Sequence, residues 1–534
     1  MDTLPVAPRD PNAPVCIEPL LAKIRTYNPK ADLDMVRLAF EFAAKAHEGQ
    51  KRSSGEPYIT HPVAAAETLA DLRMPTQIII ACLLHDVPED TAVTLADIKK
   101  EFGDDIASMV SGITKLGKIK YRGIDRYIEN LRKMFVAMAS DVRVILIKFA
   151  DRIHNLETLD SLKPEKRLRI ALESLEIYAP IANRLGMNEL KTRLEDLSFR
   201  QAMPKEYEWV QNLASSTISL KKTYIEGVRK IVKDDLTAAN VPFIDIQGRV
   251  KHLYSLYQKL LKHERDMVQI HDLVALRVLV PTIGDCYATL GIIHQRWKPL
   301  KGRIKDYISQ PKPNGYQSLH TTVFCENGEI VEFQIRTREM HDEAERGIAA
   351  HWHYDEDGKK ATPASGEQLA WVQDLADHSQ HAKGPDAFME TFESMKIDVF
   401  QNRIFVFTPK GDVIDLPEGA TPVDFAYAIH THIGNTCVGA RVNDQIVSLE
   451  SKLSSGDFCE IIVDKNRKGP NADWLTFVKT GHAKSHIRAL AKSKIQKWMK
   501  DISTEEVAPA KKAPPAPVVK PVHKKPKRPK PKTE

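Results

Sequence analysis

Cysteine is scarce: the six in 534 residues form no CxxC pair and no dense spacing. That excludes a disulfide framework and a cysteine-based zinc centre, and it reads Cys16, Cys82, Cys286, Cys325, Cys437 and Cys459 as reduced thiols of a cytoplasmic chain. No stretch reaches the ~20 consecutive apolar residues that a bilayer span needs, so no membrane is expected as a partner. The opening MDTLPVAPRDPNAPVC has acids and prolines where a secretory signal needs a basic run and then an apolar one. No internal repeat is present. A basic body is missing too: the net charge of +6 is concentrated at the end, where residues 509–534 carry nine Lys/Arg against one acid, and the remainder is at −2. That tail is rich in Pro and Lys and cannot bury enough apolar surface to fold. It also lacks the aromatics that would stack on bases, which excludes sequence-specific nucleic-acid recognition there.

What is present is a long chain of ordinary globular composition, for which roughly 100–200 residues per domain suggests three or four domains. Residues 1–30 are Pro-rich and read as an arm. Apolar residues recur at helical spacing from Leu33 to His47 and again in segments up to Leu185, so 31–186 reads as all-α. A helical bridge, 187–240, follows. Between 241 and 354, PFIDIQ, LVALRVLV, YQSLHTTVF and EIVEFQIRT read as strands, and VKHLYSLYQKLLK and DCYATLGIIHQRW as helices. This is the pattern of an α+β domain with a mixed, largely antiparallel sheet. Residues 355–400 read as a linker with helical content, 401–464 as a small strand-rich module, 465–508 as a basic helical segment and 509–534 as a disordered tail.

The strongest local signal is LLHDVPEDT, with His85 and Asp86 adjacent and Glu89 and Asp90 just beyond. Upstream lie Arg52 and His61; downstream, in KFADRIHNLETL, Asp151 and Asn155 are four apart and share a helix face. Imidazoles with carboxylates suit a borderline-to-hard divalent ion such as manganese, which lowers the pKa of bound water. Glu89 and Asp90 are then candidates to move protons or to position that water. A lone His–Asp pair is usually structural; four candidate ligands in this order within one helical region are not.

A second group lies further on. Gly248, Arg249 and Lys251 read as a strand-to-helix turn, where a helix N-terminus already favours phosphate. Asp272 stands at the mouth of a hydrophobic strand. In EIVEFQIRT, Glu332, Gln334 and Arg336 alternate with Val331, Phe333 and Ile335, giving one polar and one apolar face. Two acids on neighbouring strands suit magnesium, with Arg and Lys gripping phosphates. Tyr316, after Asn314 and Gly315, could stack on a base or be an ordinary strand aromatic. These patterns alone reach a nucleotide phosphate site and stop there.

The motifs HPVAAAETLADL, LLHDVPEDT, FADRIHNLETL, GRVKHLYSLYQK, GRIKDYI, PKPNGYQSLHTTV and EFQIRTREMHDEAERGIAAHW together resemble the long RelA/SpoT homologues, which make and degrade guanosine tetra- and pentaphosphate. The module VFTPKGDVIDLPEGATPVDFAYAIHTHIGNTCVGARVN resembles their β-grasp-like TGS domain. The resemblance implies that His61, His85, Asp86 and Asp151 hold Mn2+, that Glu89 and Asp90 serve the water removing the 3′-pyrophosphate of (p)ppGpp, and that Arg52 and Asn155 contact substrate. In the synthetase it implies Mg2+ on Asp272 and Glu332, and Arg249, Lys251, Arg303, Lys305, Asn314 and His320 around ATP and the GDP or GTP acceptor. Tyr316 would stack on guanine. The basic Arg303-Ile304-Lys305-Asp306 resembles the bifunctional members.

Pro88 stands where an aliphatic residue is commoner, and Ile304 replaces a usual aromatic. The family's C-terminal regulatory modules, including the ACT-like domain, are not recognisable after the TGS module. His430 and His432 of that module, and the tail, are the candidate contacts for a tRNA end or the ribosome. The leading expectation is a bifunctional (p)ppGpp synthetase/hydrolase. Two alternatives stand beside it: a hydrolase with a nucleotide-sensing synthetase domain, and a non-catalytic ribosome- or RNA-binding regulator.

Overall fold

The computed structural model describes residues 15–117, 124–267, 270, 272–312, 314–350, 403–410, 413–454, 456–467 and 469–490. The expected linker, the tail, most of the N-terminal arm and the end of the basic segment lie outside them. The chain divides into two compact units, Met1–Ile404 and Phe405–Glu534.

The first unit opens with helices α1 (Glu18–Tyr27), α2 (Leu33–Ala46), α3 (Thr60–Asp71), α4 (Thr76–Leu83), the single turn α5 (Val87–Asp90), α6 (Leu95–Gly117), α7 (Ile124–Ser140) and α8 (Arg143–Glu157). Asp32 caps α2 by accepting from Met35 N at 3.2 Å. The sequence of α4, TQIIIACL, is apolar all round, and nearly every residue of it is buried. Such a helix belongs at the centre of a bundle, each of its Ile and Leu side chains contributing about 1.5–3 kcal/mol of burial. Gly103, at φ +86°, interrupts α6.

The last of the helical segments, ending near Leu185, is three pieces: α9 (Pro164–Glu173), a π-helical turn (Ser174–Tyr178) and α10 (Ala179–Arg184). Pro180 has no N–H and its ring would collide with the carbonyl four residues back; the widened turn accommodates it.

The bridge is α11 (Asn188–Ala202) and α12 (Pro204–Ala238), divided where Pro204 begins a new helix. Helix α11 joins two cores. Its Leu190 and Leu194 belong to the N-terminal core, while Phe199 belongs to the core of the following α+β domain.

That domain has α13 (Leu253–Lys262), α14 (Ile283–Arg296), α15 (Arg338–Arg346) and five strands: β1 (Asp245–Val250), β2 (Val274–Val280), β3 (Lys305–Asp306), β4 (Leu319–Phe324) and β5 (Ile330–Thr337). The sheet order is β1-β2-β5-β4-β3. Only β2–β5 is parallel, with Ala275 opposite Glu332; the other pairs are antiparallel. The sheet is therefore mixed. Two details differ from the sequence reading. Gly248 and Arg249 lie inside β1, and α13 starts only at Leu253, so the expected strand-to-helix turn is displaced. The polar face of β5 is not open surface: Gln334 and Arg336 are buried, since α15 folds back over the strand.

The second unit holds β6 (Arg403–Phe407), β7 (Val413–Pro417), α16 (Pro422–Ile429), α17 (Thr431–Thr436), β8 (Cys437–Val442), β9 (Gln445–Val447) and β10 (Cys459–Val463). Its sheets are β10-β8-β9 and β6-β7. The start of the expected basic segment belongs to this fold: Trp474, Val478, Ala483 and Ile487 share a core with Val423, Tyr427 and Cys437. Asp424 fixes it there, accepting from Thr480 N (2.7 Å), Thr480 Oγ1 (2.8 Å) and Lys479 N (2.9 Å).

Candidate active sites

Chain geometry brings the first candidate site together at the centre of the N-terminal bundle. His61 comes from the first turn of α3, His85 and Asp86 from the break between α4 and α5, and Asp151 from α8. Asp86 occupies the N-cap of α5 yet makes no capping bond, so its carboxylate is left for the interior. His61 Nε2 lies 3.2 Å from Asp151 Oδ1 and 3.5 Å from Asp86 Oδ2. His61, His85 and Asp86 offer ligand atoms within 4.8 Å of one another. Burial would raise both carboxyls, but the Lys148 ammonium holds Asp151 well below the ordinary range, and Asp86 too is held low. Burial also keeps His61 neutral by lowering its pKa.

The donor set fits a cation. His85 Nδ1 meets the Cys82 carbonyl at 2.6 Å, and a carbonyl only accepts, so Nδ1 carries the proton and Nε2 the lone pair. That Nε2 is buried, 3.2 Å from Asp86 Oδ1, without a hydrogen-bond partner among the described residues. Two imidazoles and two ionised carboxylates thus lie together, with the His85 Nε2 lone pair turned towards a carboxylate, an arrangement that a divalent ion satisfies.

The flanking residues are also placed. Glu89 is half-buried, and burial followed by the Asp86 charge raises its pKa. Asp90 accepts from Tyr58 OH at 2.6 Å, and the same hydroxyl lies 2.9 Å from Asp86 Oδ2. Arg52 donates to Asn155 Oδ1 at 2.8 Å, and Asn155 Nδ2 donates to Asp151 Oδ1. Tyr58, Lys148 (2.6 Å from Asp151 Oδ2) and His154 are site residues that the sequence reading missed. Their signal was position alone: Lys148 is one turn before Asp151 and His154 is beside Asn155.

The second candidate site is a cleft of about 1380 Å³ in the α+β domain, walled on one side by α10 and α11. Arg249, Lys251, Asn314, Tyr316 and His320 line it, as do Gln334 and Arg336 of the polar strand face; Lys191, Arg277 and Lys312 line it without having been singled out for it. Arg303 and Lys305 are exposed and not among its lining residues, although Lys305 is paired in register with His320 across β3–β4.

Neither candidate magnesium ligand, Asp272 or Glu332, is among the residues lining the cleft, and each is engaged by neighbouring side chains. Asp272 accepts from Lys251 Nζ at 2.6 Å and also from Lys259. Burial would raise the Asp272 carboxyl, but the two ammoniums bring it to about 2. Two lysines share one carboxylate, so one positive charge is uncompensated; with burial the larger cause, Lys251 falls to about 8. Glu332 Oε1 lies 2.9 Å from His320 Nδ1, and His320 Nε2 lies 2.8 Å from Tyr316 OH. Lys312 Nζ sits over the rings of Tyr307 and Tyr316, 4.6 Å and 4.9 Å from their centroids.

Three family descriptions match along the chain: an HD domain over residues 39–188, the region found in RelA / SpoT proteins over 248–359, and a TGS domain over 404–463. The decisive similarity runs through all three: the chain is 46% identical over 477 residues to the bifunctional (p)ppGpp synthase/hydrolase SpoT of Escherichia coli, covering 89% of this chain and 67% of that one. The chain belongs to the RelA/SpoT family. It is also 47% identical over 473 residues to a GTP pyrophosphokinase of Myxococcus xanthus, covering 88% of this chain and 62% of that one. A third RelA/SpoT protein, the bifunctional (p)ppGpp synthase/hydrolase RelA of Mycobacterium tuberculosis, is 46% identical over 489 residues, 90% of this chain and 65% of that one. The chain thus spans about two thirds or less of these relatives.

The fold has the three parts that RelA/SpoT membership calls for: a helical HD domain, a mixed-sheet synthetase domain and a TGS domain. The first two imply use of a divalent metal. In the TGS domain, His430 and His432 are both exposed, and His430 Nδ1 accepts from His432 N at 3.1 Å. No helix among the described residues is long and apolar enough to cross a membrane.

Proposed function

We propose that this chain is a two-headed cytoplasmic alarmone enzyme that both makes and degrades (p)ppGpp. The observation that carries this reading is the coexistence of two side-chain sets, the cluster of His61, His85 and Asp86 with Asp151 beside His61, and the cationic cleft of the α+β domain.

In the hydrolase, His61, His85, Asp86 and Asp151 would hold Mn2+, which when bound supplies charge and an acidified water. Glu89, with its raised pKa, and Asp90 exchange protons with that water. Arg52 and Asn155 grip the nucleotide. The oxygen of the attacking water bonds to the first phosphorus of the 3′-diphosphate as its proton passes to the Glu89 or Asp90 carboxylate; the bond from the 3′-oxygen to that phosphorus breaks, pyrophosphate leaves, and the 3′-oxygen takes a proton to regenerate GDP or GTP.

In the synthetase, Asp272 and Glu332 would hold Mg2+, which supplies charge against the transferring phosphates. Glu332 takes the proton of the acceptor 3′-hydroxyl, whose oxygen attacks the β-phosphorus of ATP while AMP leaves. Arg249, Lys251, Lys305, Arg303 and His320 meet phosphates, Asn314 braces the loop, and Tyr316 stacks on guanine. We assign the hydrolase to 31–186, the bridge to 187–240, the synthetase to 241–354 and the TGS domain to 401–464, with ribosome or tRNA contact through that domain and the tail.

The test is to incubate the chain with ATP, labelled GDP and Mg2+, and separately with ppGpp and Mn2+. Asp272→Ala/Glu332→Ala should abolish only synthesis, and His85→Ala/Asp86→Ala only hydrolysis. The engagement of Asp272 by two lysines favours one second reading, a hydrolase with a nucleotide-sensing synthetase domain. Hydrolysis by the unmodified chain without any synthesis would establish that reading instead.

A further inference from the structure

Behind the HD ligands runs a chain of hydrogen bonds whose direction can be worked out. Arg52 Nη1 lies 3.1 Å from His154 Nδ1, and His154 Nδ1 lies 2.8 Å from His61 Nδ1. A guanidinium has five N–H donors and no acceptor, and it does not lose its proton in proteins. His154 Nδ1 must therefore present a lone pair to Arg52, and its ring proton is on Nε2. His154 Nδ1 has a single in-plane lone pair, which Arg52 and His61 share as a three-centre bond, and a nitrogen presenting that lone pair can meet His61 Nδ1 at 2.8 Å only if His61 donates. His61 thus carries its proton on Nδ1, and its lone pair is on Nε2, the atom facing Asp151 and Asp86.

We propose that His154 is a positioning residue that locks His61 in its ligating tautomer, and that Arg52 imposes this choice on His154. The proposal rests on the reading of the HD set as a metal site. It gives Arg52 a task separate from gripping substrate. One guanidinium governs two ligands: through Nη1 and His154 it sets the ring of His61, and through Nη2 and Asn155 it steadies the Asp151 carboxylate. His61 and His154 are both buried, so water does not easily replace either bond. Loss of such supporting bonds typically lowers metal affinity about 10–100-fold.

Two consequences follow from the same bookkeeping. An asparagine at 154 can offer an amide oxygen near the place of Nδ1 and accept from both neighbours, whereas a phenylalanine fills the volume and accepts nothing. Removing the Arg52 guanidinium takes away the donor that keeps the His154 proton off Nδ1, and with it the constraint that this donor places on the His61 tautomer.

The experiment is a Mn2+ titration of the full chain without nucleotide, read by the electron paramagnetic resonance signal of free Mn2+. It compares the unmodified chain with His154→Phe, His154→Asn and Arg52→Met, with pyrophosphate transfer in the synthetase domain and circular dichroism as checks of folding. Expected are about 10–100-fold weaker binding for His154→Phe and for Arg52→Met, and near-unmodified affinity for His154→Asn. Unchanged affinity in a folded Arg52→Met would overturn the relay and leave Arg52 a substrate contact only. Should His154→Phe not fold, Arg52→Met and His154→Asn decide, since Arg52 is only partly buried. Equal losses in His154→Asn and His154→Phe would overturn the acceptor role. An unmodified chain that binds no Mn2+ would instead remove the metal-site reading on which the relay stands.

Discussion

Gly347 lies so close to Leu185 that a Cβ on it would be 2.1 Å from the Leu185 carbonyl oxygen. The same carbonyl accepts from Ile348 N at 3.0 Å, and Ile348 and Ala349 are buried in the N-terminal core. Two further bonds cross nearby: Asn188 Nδ2 to the Ala344 carbonyl at 2.6 Å and Asn314 Nδ2 to the Asn183 carbonyl at 3.2 Å. The seam between hydrolase and synthetase thus runs through the α10–α11 turn and the end of α15, not through the bridge helices alone. Gly347→Ala must distort this seam, both because its φ is +56° and because its neighbours are backbone. It should cost more than about 2 kcal/mol in denaturant unfolding and change both activities. Gly328→Ala, at φ +75° with open space around it, is the control and should cost only about 1 kcal/mol. Equal, small effects of the two would remove the seam from any account of how the heads communicate.

Tyr58 bridges the two roles of the hydrolase site, because its hydroxyl reaches both a candidate ligand, Asp86, and a candidate proton carrier, Asp90. Its ring stacks on His47 at 4.5 Å. Tyr58→Phe keeps the stacking and removes the one hydroxyl proton that the two carboxylates share. Hydrolytic kcat should fall about 10–100-fold with synthesis unaffected. Steady-state assays of both reactions check this.

Much of this was legible in the sequence, for a physical reason. Candidate ligands such as His85 and Asp86 sit where helix periodicity and Pro88 force a break, so their local pattern announces them. Arg277 did not announce itself, because it occupies an ordinary strand position and becomes a cleft residue only when β2 and β5 pair, whereas Arg336 stood out on the polar face of its strand. Lys148 and His154 were hidden for the same reason: their partners, Asp151 apart, lie far away in sequence, and His154 meets His61 across 93 positions. The displaced turn at Gly248 and Arg249 reflects the antiparallel ladder with β2, which extends β1 to Val250 beyond where its own residues mark an end.

Metal removal should be visible without any turnover. In the absence of a cation, His61 and His85 face two ionised carboxylates across a buried space. A ligand present at a hundred times its Kd stabilises by about 2.7 kcal/mol. Mn2+ should therefore raise the Tm of the chain by several degrees, and a chelator should reverse this. His85→Ala should abolish the shift, whereas Asp272→Ala should leave it intact. Thermal melts over a Mn2+ series measure both.

The cleft poses the opposite problem, an excess of buried positive charge. Arg336 is 1% exposed, and its Nη2 lies 3.0 Å from Glu345 Oε1 and 2.8 Å from His341 Nδ1. Arg277 reaches the same carboxylate oxygen at 3.1 Å. Burial, with Arg336 the next cause, lowers Arg277 to about 10. Burial would raise the Glu345 carboxyl, but Arg277 and Arg336 hold it low. Glu345→Ala leaves two guanidiniums without their shared counter-charge and should cost about 3–5 kcal/mol of stability, with a raised KM for nucleotide in synthesis. Replacing Arg336 and Glu345 together with Met and Leu restores apolar packing and removes one of the stranded charges. Much of the stability should then return while nucleotide binding does not, because Arg277 is still without its anchor on the cleft wall. Urea unfolding and the KM for ATP, measured on both variants, separate the two contributions; recovery of both together would mean that Glu345 serves packing alone.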